Sequence, residues 1–339
     1  MTSQIVDQLL ASDEPSVRWK VRAEVLQEPA DSAPMRKLRE QIRRSPRVQT
    51  LLKVRGPDGR SVVSKGGVYA KWQGAHWVLA ALADLGYPPG DEELRQLPEE
   101  VQDTWLSDDF YEEFEATSKA NVYNRRGVPV MQGRYRRCAS QQGNALRGLT
   151  VLGLTNDRTP EFVERLLFWQ WPDGGWNCDK NPSADTSAFA ETLLPMRGLT
   201  AYANSHDSSE ARDAARRASE VLLTRRLVFR RSTGELIHKE FTRLHYPLYW
   251  HYDLLGGLRG LAELGALADD RCADALDMLE SKRLPDGGWP AERRYYKTSD
   301  EIALGNDYVD WGGTSIRRSN EWTTADALYV LREAGRIRV

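Results

Sequence analysis

The sequence predicts an all-α fold, an (α/α)6 toroid of inner and outer helices with long ordered loops and a small β-hairpin on one face. Three observations predict it. Pro-Asp-Gly recurs at 57–59, 172–174 and 285–287, each time after a helix-like stretch. Proline cannot continue a helix and Asp-Gly favours a tight turn, so each triplet is a stop signal. A second repeat, "LRGLTVLG" at 146–153, "MRGLTAYA" at 196–203 and "LRGLAELG" at 258–265, has looser copies at 80–86 and 329–335. The copies end about every 62 residues, roughly half the Pro-Asp-Gly interval, so the repeating unit is one helical hairpin. Third, the connections alternate between short and long.

In chain order, the small, apolar segments are 16–28, 72–86, 140–153, 186–203, 249–265 and 321–335. The charged, amphipathic ones are 3–11, 34–54, 91–105, 159–170, 209–226 and 270–283. Small apolar helices suit an inner ring, and amphipathic ones an outer ring with a face to water. Leu254, Leu258 and Leu261 fall on one face at helical spacing, and Gly256, Gly257 and Gly260 allow close helix approach. Links from inner to outer helices, such as "YPPGD" and "ALADD", are short. Links from outer to inner helices, at 55–71, 106–139, 171–185, 227–248 and 284–320, are long. Parallel inner helices gather every long link at one rim, beside the inner N-termini. The segment 228–238 reads as a hairpin turning at Thr233-Gly234. The expectation is one domain over residues 1–339.

Composition narrows the function classes. A chain of 339 residues buries a substantial core. A net charge of −2 supplies no field for nucleic acid or an acidic membrane surface. The longest apolar runs, such as "WVLAALA" at 77–83, are too short to span a bilayer. The N-terminus lacks the basic start and apolar core of a signal peptide, and Cys138, Cys178 and Cys272 form no close pair. Together these predict a cytoplasmic protein with reduced thiols. Eleven tryptophans are the unusual component, several beside glycine-rich turns.

Those turns carry a resemblance. Gln170, Gly174 and Trp176 match the Q-x-x-x-G-x-W signature of the squalene–hopene and oxidosqualene cyclases, and the chain resembles, more distantly, the catalytic subunits of protein prenyltransferases. At 283–289 the Gly and Trp remain while Arg283 replaces Gln; at 55–61 only the turn remains, with Arg55 and Gly59. The resemblance spans the repeats across most of the chain. It implies that these turns tie outer to inner helices, with Trp176 and Trp289 in scaffold roles, and that the barrel holds a small apolar or terpenoid substrate. It also exposes a departure. Those cyclases protonate an alkene from a D-x-D-D-T motif. Here "PSADT" at 182–186 keeps Asp185-Thr186 but has Pro182 and Ala184 in place of the other acids. Prenyltransferase subunits hold zinc with Asp, Cys and His, and the sequence offers no such triplet, so no metal or cofactor is expected.

Candidate chemistry concentrates in "RLHYPLYWHYDLL" at 243–255. His and Asp exchange protons near neutral pH when burial tunes them, and aromatic faces stabilise cations. His251 and Asp253 are the leading acid–base candidates, against the bland alternative that the rings pack and Asp253 caps a turn. Aligning the inner helices by their ends puts Glu191 in register with Asp253, beside Gln141 and Thr323 of other repeats. Asp185 is the fourth candidate. His245, Tyr246, Tyr249, Trp250, Asp310, Trp311, Trp72 and His76 are candidates for binding substrate. In the longest connector, Asp307, Asp310 and Trp311 form a lid or supply an acid. Arg125, Arg126, Arg134, Arg136 and Arg137 either grip an anion or pair with the acids of "DDFYEEFE". The functional expectation is a terpenoid-cyclase-like enzyme working without the usual acid motif. The alternatives are a carbohydrate-active lyase or hydrolase on an α/α barrel, or a non-catalytic ligand-binding protein. A deep apolar cavity favours the first, an open polar groove the second, a filled barrel the third. The sequence leaves the oligomeric state open.

Overall fold

The computed structural model describes residues 2–338 apart from 63–66, 124, 300, 302 and 304, and the parts of the long connectors at those positions lie outside the described residues. In order the helices are α1 (Thr2–Leu10), α2 (Pro15–Lys20), α3 (Ala33–Arg43), α4 (Pro46–Leu52), α5 (Ala75–Leu85), α6 (Gln96–Trp105), α7 (Asp108–Tyr111), α8 (Lys119–Tyr123), α9 (Ala139–Val151), α10 (Thr159–Phe168), α11 (Phe189–His206), α12 (Ser209–Leu223), α13 (Leu254–Leu264), α14 (Ala273–Ser281) and α15 (Glu321–Glu333). A π-helical turn, Val21–Val25, prolongs α2. Strands β1 (Glu113–Glu115), β2 (Val128–Met131) and β3 (Arg134–Tyr135) form a small sheet, parallel then antiparallel; β4 (Lys297–Thr298) and β5 (Asn306–Asp307) form a parallel pair.

The inner ring is α2 with its π turn, α5, α9, α11, α13 and α15. Each packs on the next, and α15 closes back on the π turn. Helices α3, α6, α10, α12 and α14 each pack outside the inner helix that precedes them, and α1 packs on α2. The fold is the all-α toroid that the repeats predict. Closest approach falls between α9 and α11, where glycine is required. A Cβ on Gly198 would meet the Gly143 carbonyl oxygen at 2.2 Å, and one on Gly143 would meet Pro195 Cα at 2.3 Å.

The three Pro-Asp-Gly turns share one geometry. Gly56 N, Trp171 N and Leu284 N donate to the carbonyls of Arg60, Gly175 and Gly288, and each turn holds a glycine at positive φ. In two copies a tryptophan extends the turn. Trp176 Nε1 donates to Leu166 O (3.0 Å) and Trp289 Nε1 to Leu279 O (2.7 Å), on the outer helices. Their backbone N–H groups donate to Thr192 and Thr324 on the inner helices. Both indoles are buried, which is scaffold geometry. Gln170 Nε2 and Arg283 Nε each donate to a carbonyl of their own turn, Gly174 and Gly287.

Local chemistry trims the predicted helices. The segment 34–54 is two helices, because Pro46 starts α4 and Ser45 Oγ caps it through Val48 N. The segment 249–265 starts only at Leu254, because Asp253 is an N-cap in extended conformation. The hairpin at 228–238 reduces to one antiparallel bridge, Phe229 with Leu236. The sheet β1–β3, inside the 106–139 connector, had no clear period-2 pattern to announce it.

Candidate active site at the barrel mouth

The connectors before α5, α13 and α15 converge at the inner N-termini. Trp72 N donates to Asn306 O and Gly305 N to Lys71 O, joining two of them. Trp72 Nε1 donates to Tyr295 O. Trp72 stacks on Tyr249 at 3.7 Å, and the edge of Trp77 meets both. Tyr246 stacks on Trp322, with Trp311 against both. His251 lies between Trp250 at 4.0 Å and Tyr295 at 3.3 Å, and Lys71 sits over Trp250. Aromatic faces attract cations, so this rim suits developing positive charge.

Asp307 is built into that wall and is 2% exposed. It accepts from the Tyr249 hydroxyl, from Trp311 Nε1 at 2.8 Å and from Val309 N at 3.0 Å. Burial pushes its carboxyl above the ordinary range, against the opposing pull of these donors. Tyr249, its hydroxyl partner, sits at φ 51°, in the left-handed region that non-glycine residues rarely adopt. Such strain clusters at functional sites.

The structure separates the four acid–base candidates. Asp253 is the N-cap of α13: it accepts from His245 N, Gly256 N and the His245 ring, at 2.8, 2.8 and 3.1 Å. That is capping, the bland alternative. Asp185 is exposed in the connector before α11. His251 is neutral, its pKa pushed down to about 3 by burial; Nδ1–H donates to Leu248 O and leaves the Nε2 lone pair. Glu191 is buried beside two thiols, with Tyr69 close by. Its Oε2 accepts from Ser140 N at 3.0 Å and its Oε1 from Cys178 Sγ at 3.3 Å. Burial raises its pKa. Cys138 at the N-cap of α9, Cys178 and Glu191 have their ligand atoms within 4.8 Å of one another, a triplet assembled from three separate segments. Cys138 ionises more readily than usual, chiefly through its hydrogen bond with Cys178; that same bond pushes Cys178 up.

Among the binding candidates, Tyr246, Tyr249, Trp311 and His245 line the interior, and Trp77, which the sequence did not mark as one, lines it with them. His76 is buried; its Nε2 accepts from Asn144 Nδ2 at 3.0 Å, and burial lowers its pKa to about 3. Asp310 faces outward instead, into an open groove of about 590 Å³ shared with Glu14, Arg47 and Glu321. Arg125 and Arg126 pair with Glu112 and Asp109, as the bland reading has it. Arg134 and Arg136 lie over Trp171, and Arg137 over Phe110.

Among the described residues the interior includes two small chambers of about 50 Å³ each, both lined by Tyr246, Pro247 and Leu248. Each has room for one or two waters. Beneath lies an ion network that the sequence reading did not assign. Lys20 pairs with Asp326 (2.8 Å), Arg259 with Asp326 (2.8 Å) and Glu24 (2.6 Å), Arg197 with Glu263 (2.7 Å) and Arg147 with Asp84 (2.8 Å). The available signal was the arginine of the repeated Arg-Gly-Leu, at 147, 197 and 259.

No described helix is long and apolar enough to cross a membrane. No family model matches the chain, and no curated protein matches it. Among solved structures the chain is similar to a protein from Actinoplanes, at 19% identity over 98% of each chain with a TM-score of 0.45. It is also similar to the type II terpene cyclase MstE from Scytonema. The complex with merosterolic acid A is 15% identical over 95% of this chain and 88% of that one, with a TM-score of 0.43. The apo form is 15% identical over the same shares, with a TM-score of 0.40.

Proposed function

We propose that the mouth is an acid–base site for a small apolar substrate of the terpenoid class, catalysing an isomerisation or ring closure. The observation that carries this reading is Asp307, a buried carboxyl with raised pKa set among Tyr249, Trp311 and the rings stacked on them. A buried carboxyl of raised pKa holds its proton more tightly than an ordinary aspartate, and in its protonated form it can donate that proton to a carbon–carbon double bond. The π pair then forms the new C–H bond, and the adjacent carbon becomes cationic beside the faces of Trp72, Trp77 and Tyr249. A second double bond can close on that carbon. The final C–H proton passes to a weak base, since a carbocation is a very strong acid; His251 Nε2 and the Asp307 carboxylate are the candidates. Protons balance and no oxidant is needed. The chambers, about 50 Å³ each, require the Tyr246–Tyr249 segment to swing out as substrate enters.

The test is incubation of the purified protein with geraniol, farnesol, geranylgeraniol and squalene, with products of unchanged mass sought by gas chromatography–mass spectrometry. Turnover should fall at least about 100-fold in Asp307→Asn. A folded Asp307→Asn protein with full turnover would remove the proposal. The small chamber volume favours one second reading, a barrel that binds an apolar ligand without converting it. Native mass spectrometry showing a retained ligand, with no product from any of the four substrates, would select it.

A further inference from the structure

We infer that Cys138, Cys178 and Glu191 form a binding site for one zinc ion with an open fourth position. The two sulfurs and a Glu191 oxygen come from the N-cap of α9, the connector before α11 and the first turn of α11, and lie within 4.8 Å of one another. That span fits three ligands around one ion, since sulfurs bound at about 2.3 Å in a tetrahedral site stand somewhat under 4 Å apart. Thiolate pairs select zinc and related soft cations over magnesium or calcium. The supporting shell is in place. Ser140 N–H holds Glu191 Oε2 and leaves Oε1 turned toward Cys178, where a thiol proton now occupies the space between them. A divalent ion replacing the thiol protons keeps those contacts, and the backbone hydrogen bond fixes the carboxylate as outer partners of metal ligands do.

Charge points the same way. Two thiolates and a carboxylate carry −3, and a zinc ion leaves −1. Lys180 and Arg137 stand close enough to interact with both thiols and with Glu191, so they offset that remainder. The same two cations line a surface cleft of about 490 Å³ with Arg125, Arg126 and Phe110.

The test uses full-length protein, reduced and purified without chelator, and titrated with cobalt as a spectroscopic stand-in for zinc. One equivalent per chain should produce an intense sulfur-to-cobalt band in the near ultraviolet, and the visible bands of four-coordinate cobalt, displaced by added zinc. Cys138→Ser and Cys178→Ser should each weaken binding by about tenfold or more, and Cys272→Ser, far along the chain, should not. Where a serine variant does not fold, wild-type protein supplies the readout. Zinc should slow N-ethylmaleimide labelling of Cys138 and Cys178, followed by peptide mass spectrometry. Failure of the reduced protein to bind either metal would overturn the inference. So would a sulfur-to-cobalt band that survives loss of both cysteines, or labelling rates that zinc leaves unchanged.

Discussion

His76 shows what burial does to one ring. Its Nε2 accepts from Asn144, and desolvation holds it neutral with a pKa near 3, well below the 6.5 of a free histidine. The unfolded chain therefore takes up a proton at His76 as pH falls below about 6.5, while the folded chain does so only near pH 3. Stability must fall as pH drops through that window, by up to about 2 kcal/mol between pH 6.5 and 5. His251 has the same sign. Asp307 has the opposite one: its raised pKa makes stability fall as pH rises above the ordinary carboxylate value. Glu263, held near 2 with Arg197 beside it, matters only below about pH 4.5. His76→Gln should therefore flatten the decline in melting temperature between pH 6.5 and 5, and parallel curves for the two proteins would refute the assignment. Sequence marked His76, Tyr249 and the 306–322 loop as candidates. It could not rank Asp307 above Asp310, because they stand three residues apart in one polar loop and only the packing of Trp311 turns one inward.

Turns and helix ends were the legible part of the fold. Pro-Asp-Gly spacing and the Arg-Gly-Leu repeat located the helical segments of both rings, since stop signals and apolar faces are local properties. Caps were read less well. Asp253 reads equally as an acid or as a cap in the sequence, because its cap partners, His245 N and Gly256 N, become visible only once the chain turns. The Cys138–Cys178–Glu191 triplet was missed for a related reason: nothing in a forty-residue separation announces that α9 and α11 start side by side. Their contact depends on two glycines, and it yields a prediction. Gly198→Ala places a methyl 2.2 Å from the Gly143 carbonyl oxygen, which is backbone and cannot swing away. The helices must part, at a cost of about 1–3 kcal/mol or more for overpacking. Urea unfolding should show a lower midpoint with an unchanged slope. A midpoint equal to wild type would mean that the two helices are less tightly apposed than described.

Ring closure brings every inner helix to a shared ionic layer. Lys20 and Glu24, Asp84, Arg147, Arg197, Arg259 with Glu263, and Asp326 supply four cations and four anions, one or two from each inner element. No local reading could pair them, because Arg259 meets Glu24 across 235 residues and Asp326 across 67. Balance of charge argues that this layer is structural: it leaves no net charge to hold an ionic ligand. It also bounds the two chambers from below, so the proposed substrate would enter through the aromatic rim. Arg259 is the hub, touching Glu24, Asp326 and Glu263, and these acids together with its neighbours hold it firmly protonated. Arg259→Met would leave three largely buried acids, Glu24, Glu263 and Asp326, with Lys20, Arg197 and Arg147 to answer them. Breaking a buried network from one side costs about 3–5 kcal/mol, because the abandoned charges stay desolvated. The double variant Arg259→Met, Glu24→Leu removes one of those acids and should regain part of the loss. Urea unfolding of wild type, single and double variants measures both steps. A single variant within about 0.5 kcal/mol of wild type, the range of ordinary surface substitutions, would show that the layer is hydrated and does not join the six inner helices energetically.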